Sequence, residues 1–188
     1  MRLLITCFMP FRERTKNGSQ ALAHYLASRH QNDAVRVVEI PVRWGAVESI
    51  TRNIIENWQP DLILGIGEGD NTLITFETIG RNNRQGEDED GNPPPGEVIQ
   101  HNSEPERKCR FSFVWTHQMT LPIPVMISLD AGAYLCNNAL YFYSGTRCER
   151  VGFIHVPPQG DMDDLTYCEL YGPVLHKILL HNANSPIV

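Results

Sequence analysis

The sequence predicts an α/β fold, a single-domain three-layer sandwich in which a twisted, mostly parallel sheet carries helices on both faces. The length of 188 residues suits one domain with one core. The first third of the chain alternates strand-like and helix-like patterns, which is typical of a parallel sheet with right-handed crossovers. The stretch DLILGIG is apolar almost throughout, as expected of a strand buried on both faces.

The amino-terminal third supplies a strand, helix, strand, helix, strand series. A strand over 3–7 precedes a helix in which Leu22, Tyr25 and Leu26 recur at helical spacing. The remaining predicted elements are a strand over 34–42, a helix over 44–58 that Pro60 follows, and a strand over 61–67. These five elements form the parallel part of the predicted sheet.

The carboxyl-terminal half predicts three further strands and two helices. The strands are RFSFVW, PVMISL and VGFIHV, and the helices are the segment around Cys136 and LTYCELYGPVLHKILLH. The linker WTHQMTLPI between the first two of these strands is short for a helical crossover, so they either pair antiparallel or lie in different places.

Residues 82–108 are rich in Gly, Pro, Asn and acidic residues and offer almost nothing to a core. They predict a long surface loop inside the single domain of residues 1–188. Two interpretations stay open: a solvated loop, or a lid or subunit contact beside an active site.

Composition excludes several classes of protein. The net charge of -6 and the pI of about 5.6 argue against a nucleic-acid partner. The start MRLLITCF is too short an apolar run for a signal peptide, and no segment is long enough to span a membrane, so a cytoplasmic protein is expected. Five cysteines without a C-x-x-C pair predict free thiols rather than disulfides or a structural zinc site.

The motif GIGEG follows a predicted strand and raises the possibility of a dinucleotide site. The full fingerprint needs G-x-G-x-x-G at the start of a helix, whereas residues 72–76 are β-branched and apolar. We therefore expect these glycines to permit a close approach of the backbone at the end of a strand.

Cys136 is the candidate nucleophile. It comes after SLDAGAY, where Asp130 and Gly132 are helix-starting and helix-breaking residues, so we expect it in the first turn of a helix. Helix dipole and free N–H groups there favour a thiolate and an oxyanion. The alternative is a buried structural cysteine, the commoner role of free cysteine.

His155 and Glu77 are the candidate partners of Cys136. His155 lies near the end of the strand VGFIHV, at the rim of the sheet, where sites of α/β proteins form. Glu77 lies among apolar residues and needs a partner if it is buried. Each also has a purely structural interpretation, and spacing cannot show that they meet, since catalytic partners are neighbours in space.

Several motifs resemble those of the pyrrolidone carboxyl peptidase (pyroglutamyl peptidase I) family. SLDAGAYLCNNALY is similar to the nucleophile segment S-x-x-A-G-x-[FY]-x-C-N, VGFIHVP to the histidine strand, and LITFETIGRN to the glutamate segment. TCFMPF is similar to the amino-terminal T-G-F-x-P-F, and a GN-x-P motif recurs in the long loop. The matches occur in family order.

The resemblance implies a cysteine peptidase that removes 5-oxoproline from blocked peptide amino termini, with Cys136 as nucleophile, His155 as proton carrier and Glu77 orienting His155. It implies a homo-oligomer, a dimer or tetramer, without metal or cofactor; the cytoplasmic location and the lack of nucleic-acid and membrane partners are expected from the composition. It further implies substrate contacts from four residues, of which the two aromatic ones would flank the lactam ring: Phe8, Phe11, Asn17 and Glu68.

The chain departs from the family pattern in four places, one of which is Thr78, where the family usually has a basic residue after the glutamate. Glu68 replaces a glutamine, so an ionised side chain could only accept a hydrogen bond, and Glu68→Gln is expected to raise activity on pyroglutamyl substrates. Arg84 is the nearest counterpart of the oxyanion-side arginine, and the helix before the nucleophile strand is missing between Trp115 and Ile123. Three alternatives remain open: altered substrate specificity, a non-catalytic peptide- or partner-binding relative, and a thiol redox sensor.

Overall fold

The computed structural model describes residues 1–69, 72–113, 121 and 123–184. A sheet of six strands in the order β2-β1-β3-β8-β4-β7 forms its centre, and a two-stranded ribbon pairs β5 with β6. The strands are β1 (Arg2–Phe8), β2 (Ala34–Ile40), β3 (Leu62–Glu68), β4 (Ile74–Glu77), β5 (Ile79–Arg81), β6 (Glu106–Lys108), β7 (Val125–Ser128) and β8 (Val151–Val156).

The sheet is mostly parallel, as the sequence predicts. β2, β1, β3 and β8 run parallel to one another. β4 runs antiparallel to β8, and β7 runs parallel to β4. The carboxyl ends of β1, β3 and β8 therefore meet at one edge of the sheet, where α/β proteins place their sites.

Four helices cover the two faces of the sheet: α1 (Gly18–Arg29), α2 (Ala46–Trp58), α3 (Leu135–Ser144) and α4 (Asp164–Asn184). Side chains of α1 and α4 pack into one apolar cluster, which includes Leu22, Leu26 and Leu175. Side chains of α2 and α3 pack into a second cluster on the other face, which includes Val47 and Leu140. This confirms the expected layers of helices, sheet and helices.

The strand predicted for RFSFVW is wrong over its described part, Arg110 to Phe113, which forms no strand. The amides of Arg110 and Phe111 both donate to the carbonyl of Val151, so this segment lies beside the first residue of β8. Its aromatic residues fill the core instead, and the ring of Phe113 stacks on Phe76 at 4.6 Å between centroids. The expected absence of a helix between Trp115 and Ile123 falls almost wholly on residues outside the described ranges.

The predicted surface loop 82–108 is more structured than its composition indicates. Its last residues, Glu106–Lys108, form β6 and pair with β5. Asp88 is buried, and hydrogen bonds from the backbone amides of Trp44, Asp90 and Asn92 to its carboxylate compensate for the loss of water. The loop thus packs against the domain through polar contacts that an apolar pattern does not reveal. Among the described helices, none is long and apolar enough to cross a membrane.

Candidate active site

Cys136 is the second residue of α3, in its first turn, as the sequence predicts. The residue before the helix, Tyr134, is extended at φ -97° and ψ -164°, and its side chain does not cap the helix. Since the first amides of a helix lack partners within the helix, this end carries partial positive charge. The N–H groups there can stabilise a thiolate or an oxyanion.

The glycines of GIGEG make room for the side chains of this site. A Cβ atom at Gly67 would lie 2.7 Å from the sulfur of Cys136, and one at Gly65 would lie 2.4 Å from the Phe153 ring. Real Cβ atoms do not approach other atoms so closely, so a side chain at either position would force a shift. This supports the expected close approach at the end of β3.

His155 and Glu77 form a hydrogen-bonded pair across adjacent strands. His155 lies on β8 and Glu77 at the end of the antiparallel strand β4, two residues beyond the partner of His155. His155 Nδ1 and Glu77 Oε1 are 2.8 Å apart, and their side chains are 13% and 4% exposed. Nδ1 of His155 donates to Oε1 of the buried carboxylate, whereas Oε2 is buried without a hydrogen-bond partner in the described part of the chain.

The pKa of His155 is set by opposing effects. Burial lowers it, whereas the charge of Cys136 and a hydrogen bond with it, followed by those of Glu77, raise it to about 10. The imidazole therefore stays protonated at neutral pH. A cation between a sulfur and a carboxylate can deliver a proton to a leaving group and, once neutral, take one from water.

The other four cysteines lack this environment. Burial raises the pKa of Cys7 and Cys109 to about 12 and that of Cys168 to about 11. It also raises the pKa of Cys148. Because the thiolate is the reactive form, these four residues are poor nucleophiles at neutral pH.

Two buried asparagines attach α3 to the end of β5 and to α2. Asn137 Nδ2 donates to the carbonyl of Arg81 at 2.8 Å, and the amide of Arg81 donates to Asn137 Oδ1 at 2.7 Å. Asn138 Nδ2 donates to Glu48 Oε1 on α2 at 3.0 Å. Both asparagines are fully buried and follow Cys136 directly, so these contacts fix the first turn of the helix.

Arg84, the candidate oxyanion residue, is part of this network. Its Nε donates to Asn138 Oδ1 at 2.9 Å, and its Nη2 donates to Glu48 Oε1 at 3.1 Å. Its Nη1 donates to the carbonyl of Val98 at 3.3 Å. All three guanidinium nitrogens therefore have protein partners, and an oxyanion role for Arg84 stays a prediction.

The two candidate ring-binding residues belong to the same cluster as Cys136. Phe8 ends β1 and is 5% exposed, while Phe11 is partly buried and packs against that cluster. Asn17, the third candidate, is the N-cap of α1: its Oδ1 accepts from the amide of Ser19 at 3.0 Å. Its Nδ2 donates to the carbonyl of Met9 at 3.2 Å, so both polar ends of this side chain have partners.

Glu68, the fourth candidate, forms its hydrogen bonds away from Cys136. Alternation along β3 directs Glu68 to the sheet face opposite Gly67, which faces Cys136. Its Oε1 accepts from the backbone amides of Gly18 at 2.6 Å and Gln159 at 3.0 Å. Its Oε2 accepts from Arg14 Nη1 at 2.5 Å.

Two aromatic residues of the site were missed as site residues in the sequence. Trp44 and Tyr134 pack edge to face at 5.4 Å between centroids and belong to the cluster that includes Cys136. Both contact the acidic loop, residues 82–108, since Trp44 Nε1 donates to the carbonyl of Gly86 and Tyr134 Oη donates to that of Glu87. Tyr134 directly precedes the helix of Cys136 and fills the aromatic position of the nucleophile-segment motif, and these were the signals available for it. Within the described ranges, no group of three or more His, Cys, Asp or Glu side chains could hold a metal ion.

Comparisons with known proteins show the family of this chain. A family model described as pyroglutamyl peptidase matches residues 1–167. Pyroglutamyl-peptidase 1 of Mus musculus is 31% identical over 176 residues, which cover 84% of this chain and 79% of that protein. A pyrrolidone-carboxylate peptidase of Vibrio vulnificus (strain YJ016) is 33% identical over 170 residues, 83% of this chain and 78% of that one.

Solved structures show the same fold. A mutant pyrrolidone carboxyl peptidase from Pyrococcus furiosus superposes with a TM-score of 0.83 at 24% identity, over 97% of this chain and 98% of that chain. Pyroglutamyl peptidase I of Bacillus amyloliquefaciens gives a TM-score of 0.71 at 25% identity, over 83% and 81% of the two chains. From the family match and the curated relatives it follows that this chain belongs to the pyroglutamyl peptidase family of cysteine-type omega peptidases.

Proposed function

We propose that this protein hydrolyses the amide bond after an amino-terminal pyroglutamyl residue of peptides, with Cys136, His155 and Glu77 as its catalytic residues. One observation carries the proposal: Cys136, at the start of α3, interacts with a His155 whose Nδ1 lies 2.8 Å from the buried Glu77 carboxylate. Nucleophile, proton carrier and orienting carboxylate are the three groups that cysteine hydrolysis requires.

The reaction proceeds through a thioester. The sulfur of Cys136 attacks the carbonyl carbon, and the carbonyl electrons move to oxygen, where the amides at the start of α3 stabilise the charge. The carbon–nitrogen bond then breaks as His155 gives its proton to the leaving amine. Neutral His155 next takes a proton from water, which attacks the thioester, so pyroglutamate leaves and the ionised pair of Cys136 and His155 is restored.

Glu77 orients the imidazole and stabilises its protonated form. Nδ1 of His155 donates to Glu77, which leaves the other ring nitrogen for Cys136 and the leaving group. Phe8 and Phe11 supply aromatic surface in the apolar cluster against which Cys136 also packs. A flat, uncharged lactam ring suits such a surface, and the family relatives named above carry pyroglutamyl or pyrrolidone-carboxylate in their names.

The test is a panel of amides that release a fluorescent amine. Pyroglutamyl, prolyl and glutaminyl amides are compared with the wild type and with Cys136→Ala. We expect release from the pyroglutamyl compound alone and none from the variant. Equal release from the prolyl or glutaminyl amide would contradict the proposed substrate, and undiminished release by Cys136→Ala would contradict the proposed nucleophile.

We also propose a cytoplasmic, single-domain subunit that assembles into a homo-oligomer, a dimer or tetramer. The edge strand β7 supports assembly, since Met126 and Ile127 on it are 39% and 38% exposed and β4 is its only strand partner within the described ranges. Unpaired edges with apolar side chains favour association. Light scattering after gel filtration measures the mass of the assembly, and a monomer at micromolar concentration would contradict this proposal.

A further inference from the structure

The carboxylate of Glu68, at the end of β3, joins two parts of the chain that are far apart in sequence, residues 14–18 and residue 159. Its side chain is 3% exposed, and it accepts from the first amide of α1, Gly18, from the amide of Gln159 after β8, and from Arg14. These three hydrogen bonds replace the ones that the carboxylate would form with water if it were exposed. An acidic group at the first amide of a helix is also favoured by the helix dipole.

Arg14 connects Glu68 with Phe11, one of the two residues expected to flank the lactam ring of the substrate. Arg14 belongs to the segment between β1 and α1, and its guanidinium carbon lies 4.9 Å from the centre of the Phe11 ring. A guanidinium over an aromatic face attracts the ring, and the ion pair with Glu68 fixes where that guanidinium sits. Glu68 thus acts on Phe11 through Arg14, from the far face of β3.

A second carboxylate holds the same segment from the other side. Glu89, in the acidic loop, accepts a hydrogen bond from the amide of Arg12, and its own amide donates to the carbonyl of Val42. Arg12 has a φ of 55°, a backbone conformation that needs such support outside glycine. The turn that carries Phe11 is therefore tied to the body of the protein on both sides.

We propose that Glu68 is a positioning residue that holds Phe11 against the lactam ring of the substrate through Arg14. This inference rests on the proposed function and deepens it, because it names residues that set how tightly the protein binds the lactam ring of the substrate. It also reverses the sequence-based expectation for Glu68→Gln. A carboxylate that faces Arg14 and two amides does not repel the lactam carbonyl, so neutralising it loosens Phe11 and weakens activity.

The kinetic test compares Glu68→Gln, Arg14→Met and the double variant on a pyroglutamyl amide. Since a charge-assisted hydrogen bond supplies roughly tenfold in an equilibrium, we expect each single variant to raise KM roughly tenfold and to leave kcat within about twofold. The double variant should resemble the single ones, because both remove the same contact. Additive effects, an unchanged KM, or a higher activity of Glu68→Gln would overturn the proposal.

Glu13→Gln is the matched control. It makes the same chemical change in the segment that carries Phe11 and Arg14, but Glu13 is exposed and has no hydrogen-bond or ion-pair partner within the described part of the chain. Its KM is expected to equal that of the wild type. A rise in KM as large as that of Glu68→Gln would show that loss of negative charge, rather than the contact with Arg14, is responsible.

A second readout does not depend on activity. The segment between β1 and α1 carries exposed trypsin sites at Arg12, Arg14 and Lys16. Trypsin can cleave them only after the segment has detached locally from the rest of the protein. We expect Glu68→Gln to speed cleavage here roughly tenfold, with cleavage after Arg147 as an internal reference in the same digest. Equal acceleration at Arg147 would mean general unfolding and would overturn the local role.

The two readouts separate the two proposals. If the wild type leaves pyroglutamyl amides intact, the proposed function fails, while the trypsin assay still decides whether Glu68 holds the segment. If the wild type is active but Glu68→Gln changes neither KM nor cleavage, the inference about Glu68 fails and the proposed function stands.

Discussion

At the scale of single residues, Cys136 differs from the other four cysteines by its surroundings. It lies at the amino terminus of a helix beside a protonated histidine, whereas burial raises the pKa of the other thiols. We expect iodoacetamide at neutral pH to label Cys136 before any other cysteine, and peptide mapping by mass spectrometry measures this. Equally fast labelling of Cys168 or Cys148 in the folded protein would contradict it.

The pH dependence of activity follows from His155. Its pKa is raised to about 10, and the protonated ring donates to the leaving amine, so the alkaline fall of kcat/KM should come as the pH rises toward that value. Glu77 is one of the causes of the raised pKa, so Glu77→Gln should lower it and move the alkaline limb to lower pH. Circular dichroism at each pH confirms that the protein stays folded. An alkaline limb that stays in place would contradict the role of Glu77.

At the scale of elements, β3 and α3 meet where Gly67 faces Cys136. A methyl group at Gly67 would lie 2.7 Å from the sulfur, so Gly67→Ala must displace the nucleophile. Misplacement by about 1 Å can cost about a hundredfold in rate, and we expect a loss of this order in kcat/KM.

Gly65→Ala serves as the comparison for that variant. Its methyl group would meet the Phe153 ring instead of the sulfur, so it adds similar crowding to the same strand. We expect it to lower stability with a smaller effect on the alkylation rate of Cys136. If Gly67→Ala reacted with iodoacetamide as fast as the wild type, the close contact between β3 and α3 would not matter for the chemistry.

The network of Arg84, Glu48 and Asn138 joins α2, α3 and the long loop. Arg84 and Glu48 are 10% and 17% exposed, so removal of the guanidinium leaves a largely buried carboxylate without its cation. We expect Arg84→Met to lower the free energy of unfolding by about 3 kcal/mol in urea titrations. Arg52→Met, which removes a surface arginine 3.9 Å from Glu56 and 5.0 Å from the centre of the Phe142 ring, should cost about 1 kcal/mol or less.

The same variant separates the two interpretations of Arg84. If the guanidinium binds the oxyanion, Arg84→Met lowers kcat by about a hundredfold or more in protein that remains folded. If it only holds the network, kcat of the folded fraction stays within a fewfold of the wild type. The contacts of its three nitrogens favour the second outcome.

At the scale of the whole molecule, local patterns predicted the layers and the triad candidates. Continuous apolar character identified β3, and the breaker residues before Cys136 placed it in the first turn of α3. The antiparallel direction of β4 and the non-strand conformation at Arg110 to Phe113 were not predictable, because pairing direction depends on contacts between distant segments. The same holds for Glu68, whose three donors come from residues 14, 18 and 159.

The long loop shows a related limit. Its composition predicts that its polar side chains face water. Asp88 and Arg84 are nevertheless largely buried, where backbone amides donate to Asp88 and a polar network surrounds Arg84. Backbone amides leave no trace in a composition or an apolar period, so polar burial of this kind escapes sequence patterns. These buried polar contacts nevertheless hold the loop against Trp44 and Tyr134.

The central claim is that the sulfur of Cys136 forms a thioester with the pyroglutamyl group. The most direct measurement mixes the protein with a pyroglutamyl amide, quenches the reaction in acid within the first turnover, and maps the modified peptide by mass spectrometry. We predict a pyroglutamyl group on Cys136 in the wild type and on no residue in Cys136→Ala. Hydrolysis of the substrate with the group on another cysteine, or with Cys136→Ala fully active, would contradict the account.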